Sequence, residues 1–197
     1  MTGIASILLG GGVVLMPADT IYGLHALADH AGAIQRIVDI KGRGEDKPFV
    51  VIGSSIEQLQ QLGATFPKTT RAILESLWPG PLTAIVPLRA PIAASRGAST
   101  IAVRVPALDS LRELLQQTGP LASTSANRSG EPPIVDPKSL SLDLQNAIDA
   151  IVDAGPREGE ASVIVDFTGA EPRLIREGEA FFTQKVWKTL RKSLCKT

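Results

Sequence analysis

The sequence is poor in the features that mark secreted, membrane and nucleic-acid-binding chains. It has one cysteine, Cys195, which excludes an intramolecular disulfide and favours a reducing compartment. Its 20 lysines and arginines balance 20 aspartates and glutamates, so no net charge draws it to RNA or anionic lipid. The apolar stretch near the start is short and is broken by glycines at residues 10–12, so we expect neither a signal peptide nor a membrane span. The cytoplasm is the expected location.

Familiar nucleotide-binding and catalytic signatures are also missing. No G-x-x-x-x-G-K-[ST] or G-x-G-x-x-G segment occurs, so neither phosphate-binding loop is expected. No G-x-S-x-G nucleophile elbow occurs, and His25 and His30 lack nearby cysteines or paired carboxylates. The sequence therefore argues against covalent catalysis and against a histidine-based metal site, and it leaves the ligands of any metal unknown.

The composition is that of a globular chain, with 44% hydrophobic and 20% charged residues over 197 positions. Apparent strands and helices alternate without strict βαβ regularity. We therefore expect an α+β fold, α/β-like, with a single three-layer domain around a twisted mixed β-sheet. This domain should span residues 1–178, and an amphipathic helix at residues 179–197 should pack on it or extend it.

Hydrophobic periodicity and glycine or proline breaks predict the individual elements. Helices are predicted at residues 4–9, 29–41, 54–62, 67–77, 108–118, 137–147 and 182–194. Asp29 is the predicted N-cap of the second helix, and Ser54 with Glu57 is the predicted capping box of the third. Strands are predicted at residues 13–16, 48–52, 82–88, 100–105, 150–154, 162–167 and 172–176, and from residue 121 onward. Residues 18–24 should form a polar loop and residues 90–99 a mobile one.

A cluster of hydroxyl and amide side chains follows the strand that begins at Leu121. Ser123, Ser125 and Asn127 stand at close spacing, and Gly130 lets the backbone turn or a ligand approach. Such groups, together with loop N–H donors, suit phosphate oxygens. The same residue types are ordinary in surface turns, so this stretch alone leaves both interpretations open.

Five cations stand at or near strand ends in a chain that has no excess of positive charge: Lys41, Arg43, Lys47, Arg104 and Arg176. Four of them lie beside or inside apolar segments, where an unpaired charge is costly. For any single arginine, the better explanation is an internal ion pair with Asp19, Asp46 or Asp166. For the whole set, together with the hydroxyls of Thr20, Tyr22 and Ser162, a pocket that binds a polyanion such as a nucleoside triphosphate is favoured.

Six ordered motifs give this pattern a family likeness. They are M-P-A-D-T-I-Y-G-L at residues 16–24, K-G-R at 41–43, W-P-G-P-L-T at 78–83, V-R-V-P at 103–106, S-T-S-A-N-R-S-G at 123–130 and S-V-I-V-D at 162–166. The sequence between about residues 4 and 178 thereby resembles the YrdC-like family of L-threonylcarbamoyl-AMP synthases, in its short, single-domain bacterial type. One such match would carry little weight, whereas six in order carry much.

The resemblance implies a YrdC-like fold and a reaction of L-threonine, bicarbonate and ATP that yields threonylcarbamoyl-AMP and pyrophosphate, with Mg²⁺ as the expected metal. The product would serve threonylcarbamoyladenosine modification of tRNA, with tRNA and modification proteins as possible partners and no membrane. The resemblance implies catalytic roles for Lys41 and Arg43, which with Lys47 would surround the phosphates. Arg104 would pair with the threonine carboxylate. The further substrate-binding residues that it implies are Thr20, Tyr22, Thr100, Ser123, Ser125, Asn127, Ser162 and Arg176.

The chain departs from the family pattern in places. Ala18 replaces a common threonine, Val163 replaces the threonine after the serine, and Ile52 stands where longer relatives place a histidine. We expect no second domain, so a lid over the site would come from residues 89–99 or from a partner protein.

Two other functions stay open. A non-catalytic module on the same fold could grip tRNA or double-stranded RNA, which the basic face of the last helix favours and the zero net charge disfavours. A paralogue could use another carbamoyl or acyl substrate. If the chain is the synthase, we expect Lys41→Ala or Arg43→Ala to lower turnover without unfolding, because a loop cation contributes little to packing.

Overall fold

One mixed β-sheet organises the chain. The structure, a computed structural model, describes residues 2–42, 44 and 47–194. Within these residues, nine strands form one sheet in the order β7-β1-β2-β6-β3-β5-β4-β8-β9. Their bounds are β1 (Val14–Pro17), β2 (Tyr22–Leu27), β3 (Val50–Ile52), β4 (Leu82–Pro87), β5 (Thr100–Arg104), β6 (Leu121–Ser125), β7 (Ala150–Ile151), β8 (Val163–Asp166) and β9 (Arg173–Arg176). The pairs β1–β7, β3–β5 and β4–β8 are parallel and the other neighbours are antiparallel.

Seven α-helices occur in the same described residues. They are α1 (Thr2–Leu9), α2 (Ala31–Lys41), α3 (Ile56–Gln61), α4 (Lys68–Leu77), α5 (Asp109–Thr118), α6 (Leu142–Ala147) and α7 (Ala180–Leu194). Short 3₁₀ turns lie at Ala93–Ser95 and Pro137–Ser139. In this part of the chain no helix is both long and apolar enough to cross a membrane.

The two faces of the sheet are covered by different helices. Residues of β1 alternate between them: Leu15 packs in a core with the residues of α2, α3, α4, α6 and α7, whereas Met16 packs in a second core with those of α1 and α5. This alternation follows from the two-residue period of a strand. The expected three-layer arrangement around a mixed sheet is therefore confirmed. Helix α7 packs beside α4 and buries Val186 and Leu190.

The prediction of a polar loop over residues 18–24 is wrong for its second half. Residues from Tyr22 onward form β2, which pairs with β1 on one side and β6 on the other. Tyr22, Leu24 and Ala26 face the α2 side and are fully buried there. Only residues 18–21 remain as a loop, which we call the arch because it projects from β1 toward β5.

Four local predictions also need correction. His30, not Asp29, caps α2, because its Nδ1 accepts the Ala33 N–H at 3.1 Å. Ser55, not Ser54, caps α3 and accepts the Gln58 N–H at 3.3 Å. Residues 90–99 contain a 3₁₀ turn with a fully buried Ser95 and thus are held by packing. The predicted helix at 137–147 is a 3₁₀ turn followed by α6.

Substitution of two adjacent leucines on α1 tests whether this helix covers one face of the sheet. We expect Leu8→Ala, at a fully buried position, to lower the free energy of unfolding by about 2–5 kcal/mol because it leaves a cavity against the sheet. The matched control Leu9→Ala, at a position 55% exposed, should change it by less than about 0.5 kcal/mol. Urea denaturation measures both values, and equal effects would show that α1 does not cover the sheet in solution.

Candidate active site

A cleft of about 350 Å³ opens on the face of the sheet that α1 and α5 partly cover. Ile52, whose side chain packs with those helices, is paired with Leu121 on one side and Arg104 on the other, so these three side chains share a face. Ser123 and Ser125 follow Leu121 at two-residue steps and project to the same face. The cleft therefore lies on the uncovered part of this face, with the arch along its edge.

The cleft gathers seven of the residues singled out in the sequence. The lining includes Thr20, Tyr22, Arg104, Ser123, Ser125, Ser162 and Arg176. These come from the arch, from β2, β5, β6 and β9, and from the segment before β8. Residues far apart in the chain thus meet in one site, as expected for a single ligand-binding cleft.

Arg104 is the buried centre of the site. Its guanidinium forms an ion pair with Asp19, and both side chains are 7% exposed. Nη1 and Nη2 each lie 3.4 Å from Thr20 Oγ1, and the other oxygen of Asp19 accepts the Ala107 N–H at 3.0 Å. These contacts fix the arch to the end of β5.

The cleft carries an excess of positive charge. Burial, and then the charge of Arg176, lower the pKa of Arg104 to about 10, so it remains cationic at neutral pH. Burial also lowers the pKa of Arg176. Two guanidinium groups thus stand near one carboxylate, that of Asp19, which is an arrangement that attracts an anion.

A chain of hydroxyls lies beside Arg176. Its Nε and Nη2 donate to the Ser162 carbonyl at 3.1 and 2.8 Å, and Nη2 lies 3.3 Å from Ser162 Oγ. Ser162 Oγ is 2.8 Å from Thr83 Oγ1, which is fully buried. Thr83 lines the cleft and was not predicted as a site residue, although it closes the W-P-G-P-L-T motif; its place in that motif was the available signal.

Lys41 supports the site from behind. The ammonium group is buried and donates to Ser125 O at 2.6 Å, Asn127 O at 2.8 Å and Asn127 Oδ1 at 3.0 Å. Ser125 Oγ donates to the same Asn127 Oδ1 at 2.5 Å. Lys41 is the last residue of α2 and is therefore not an exposed loop cation. This contradicts the premise of the expected Lys41→Ala result, namely that Lys41 is a loop cation that contributes little to packing.

Tyr22 also has a structural role. Its hydroxyl donates to Gly155 O at 2.8 Å and accepts the Ala154 N–H at 2.9 Å, and the side chain is fully buried. It ties β2 to residues 153–161, the connection that precedes Ser162. A Cβ on Gly159 would lie 2.0 Å from the Thr20 carbonyl oxygen, so this connection packs tightly against the arch.

Lys47 and Thr100 are not part of the cleft lining. Lys47 is exposed and precedes Pro48, which lines the cleft. Thr100 begins β5, four residues from Arg104, at the far end of the strand. Residues 89–99 border that same far end, since the Ala94 N–H donates to Ala28 O just after β2. Arg43 lies outside the described residues.

Comparisons with known proteins agree with this geometry. The family model Sua5_yciO_yrdC, with the description "Telomere recombination", matches residues 6–178. The chain belongs to the Sua5/YciO/YrdC family. A Mycobacterium tuberculosis relative is 38% identical over 174 residues, which are 85% of this chain and 79% of the relative. A Nitrosococcus oceani relative named threonylcarbamoyl-AMP synthase is 35% identical over 174 residues, 86% of this chain and 94% of its own.

A solved structure of the family gives the same fold. Pyrococcus abyssi Sua5, complexed with L-threonine, matches with a TM-score of 0.85 at 33% identity. The match covers 95% of this chain and 57% of that longer one. The predicted YrdC-like fold and the predicted enzyme family are therefore confirmed.

The donor set of this Sua5/YciO/YrdC cleft does not fit a metal held by protein side chains. Among the described residues, no three histidine, cysteine, aspartate or glutamate side chains are grouped closely enough to bind a metal ion. Asp19 is engaged by Arg104 and the Ala107 N–H. Mg²⁺ commonly binds through substrate phosphates and water with one or two carboxylates, so an Mg²⁺ ion that accompanies a nucleotide would not need such a cluster.

The buried position of Lys41 leads to a stability prediction. We expect Lys41→Met to lower the free energy of unfolding by about 2–4 kcal/mol, because it removes three hydrogen bonds from a charged donor and leaves the Asn127 carbonyl oxygen without the donor that it has in the wild type. Lys47→Met, at an exposed position after the same helix, should change it by less than about 0.5 kcal/mol. Guanidinium denaturation followed by circular dichroism compares the two variants. A Lys41→Met protein as stable as the wild type would contradict the supporting role.

Proposed function

We propose that this protein is an L-threonylcarbamoyl-AMP synthase, which converts L-threonine, bicarbonate and ATP to threonylcarbamoyl-AMP and pyrophosphate. The observation that carries the proposal is the convergence of Arg104 and Arg176 with several hydroxyls on one cleft. A relative whose sequence matches this chain over 94% of its own length carries that name. The cleft's positive charge suits two anionic substrates.

The amino acid would bind at Arg104. A guanidinium matches the planar carboxylate of L-threonine, and Arg104 Nε is buried without a hydrogen-bond partner among the described residues. Thr20 lies at the same guanidinium. The apolar side chains of Val50 and Ile52, which line the cleft, would contact the methyl group of threonine.

The nucleotide phosphates would lie toward Arg176 and the loop after β6. Arg176 supplies a partly exposed cation, and Ser125 supplies a hydroxyl at the end of β6, next to a loop whose shape Lys41 fixes. Arg43, Lys47 and Asn127 complete the set that we assign to the nucleotide side. Thr100 and Tyr22 receive only supporting roles in this proposal, because the structure places the first away from the lining and engages the hydroxyl of the second.

The reaction needs no nucleophilic side chain. The amine of threonine adds to the carbon of bicarbonate, and loss of water gives a carbamate. A carbamate oxygen then attacks the α-phosphorus of ATP, the bond to the β-phosphate oxygen breaks, and pyrophosphate leaves. The cations stabilise the negative charge that builds up on the phosphates, and the hydroxyls hold the two substrates in line.

The adenylate is a labile mixed anhydride, so a receiving step must follow. We assign that step to tRNA modification by partner proteins, and we assign the reaction to the cytoplasm, consistent with the single cysteine. The enzyme's own cleft lacks a metal-binding side-chain cluster in its described part, so Mg²⁺ has no assigned protein ligand.

Substrate dependence tests the proposal directly. Pyrophosphate release should require L-threonine, bicarbonate and ATP together, and omission of any one should reduce it to background. L-Serine, which lacks the methyl group, should react roughly tenfold or more slowly, because the methyl contacts Ile52 and Val50. Equal rates with serine would contradict the assigned specificity, and release of pyrophosphate without threonine would contradict the reaction.

Two arginines on β9 provide a matched comparison. Arg176→Gln should lower kcat/KM for ATP about 100-fold, because it removes a cation from the cleft. Arg173→Gln, whose side chain is 75% exposed and faces Asp166, should stay within about twofold of the wild type, since surface ion pairs contribute little. Steady-state kinetics with varied ATP distinguishes them, and an equal loss in both variants would point to damage to β9 instead.

A further inference from the structure

His25 lies under the floor of the cleft and has no role in the function described above. It is fully buried on β2. Gly23, two residues earlier, projects to the same face, and Ser123 is the cross-strand partner of His25 on β6. Both Gly23 and Ser123 line the cleft. The imidazole therefore lies on the substrate side of the sheet.

The ring leans toward the cleft end of β2. A Cβ on Gly23 would lie 2.8 Å from His25 Nε2 and 3.2 Å from Cε1. The ring thus occupies the space that any side chain at position 23 would need. Its Nε2 edge lies directly against a residue of the cleft wall.

Neither ring nitrogen has a hydrogen-bond partner of normal geometry among the described residues. Burial lowers the pKa of His25 to about 4, and a contact with the Met16 backbone only partly opposes this shift. The ring is therefore neutral at physiological pH and offers one N–H donor and one acceptor nitrogen. A buried polar group without partners is costly, whereas a leucine of similar volume would fill the same space without that cost.

Ser123 carries a cleft-lining hydroxyl and lies directly across from His25 on the neighbouring strand β6. The Cβ atoms of an antiparallel cross-strand pair lie about 4.5–5.5 Å apart. Ser123 is half-buried, and on its other side it pairs with Val50, which also lines the cleft. The next residue on that strand face is Ile52, the partner of Arg104. Ser123 therefore lies on the side of the cleft assigned to the amino acid.

We propose that His25 is a positioning residue for L-threonine: when the amino acid binds, the neutral imidazole hydrogen-bonds the Ser123 hydroxyl and fixes its direction toward the substrate. This inference rests on the proposed function, because it concerns the threonine end of that site. On this proposal, the buried imidazole of His25 serves substrate binding and not the packing of the core.

A double-mutant cycle tests the coupling. The variants are His25→Leu, Ser123→Ala and the double variant, with His25→Gln as the rescue because its amide keeps hydrogen-bonding atoms. Isothermal titration with L-threonine should show about tenfold weaker binding for each single variant, no further loss in the double variant, and near wild-type binding for His25→Gln. ATP binding should stay within about twofold in all four. The melting temperature of His25→Leu should equal or exceed that of the wild type.

Each contrary result overturns the proposal. Unchanged threonine binding in His25→Leu, or losses that add in the double variant, would show that His25 does not act through Ser123. Equal weakening of threonine and ATP binding with a lower melting temperature would show a merely structural role. The wild-type protein separates this test from the proposed function: threonine binding without pyrophosphate release contradicts the reaction alone, and absence of threonine binding contradicts both.

Discussion

The buried ion pair between Arg104 and Asp19 determines the shape of the site. Asp19 follows β1 and Arg104 ends β5, and three strands, β2, β6 and β3, lie between them in the sheet. With neighbouring strands about 4.8 Å apart, the arch and Arg104 together reach across roughly 19 Å of sheet. A buried ion pair of this kind adds little to stability because both charges lose their hydration. Its main effect is to hold the arch over the open face and so create a cleft there.

The same interaction leaves the cleft short of negative charge. Asp19 balances Arg104, and Arg176 remains close enough to lower the pKa of Arg104. An anionic ligand would supply the missing charge. A carboxylate and a triphosphate could occupy the site together, which is what the proposed synthase reaction requires. The hydroxyls of Thr83 and Ser162 lie between Arg104 on β5 and Arg176 on β9. In the proposed reaction they would orient uncharged oxygens of the substrates.

Much of the fold was predictable because most strands are uniformly apolar or follow a clear break. The exception was β2. Its cleft-facing residues, Gly23 and His25, are not plainly apolar, so they show no clear alternation with Tyr22 and Leu24. The polar residues just before Tyr22 also made the start of the strand look like part of a loop. The helix caps differed by one residue because several adjacent polar side chains were equally good candidates on local grounds.

The sequence predicted which residues belong to the site better than it predicted the role of each residue. Ordered motifs identified Thr20, Arg104, Ser123, Ser125 and Ser162, and Arg176 stood out as a cation beside an apolar segment. The structure brings these residues to one cleft. The burial of Lys41 was not predictable, because its partners Ser125 and Asn127 are 84 and 86 residues away and meet it only through sheet topology. The double engagement of the Tyr22 hydroxyl depends likewise on contacts 132 and 133 residues away.

The most direct test of the central claim is a crystal structure of the protein with L-threonine and a non-hydrolysable ATP analogue bound together. We expect the threonine carboxylate at the Arg104 guanidinium, under the arch, and the phosphates within hydrogen-bond distance of Arg176 and the loop after β6. Ligands bound on another face of the sheet, or an Arg104 that contacts only Asp19 and Thr20 with both ligands elsewhere, would contradict it.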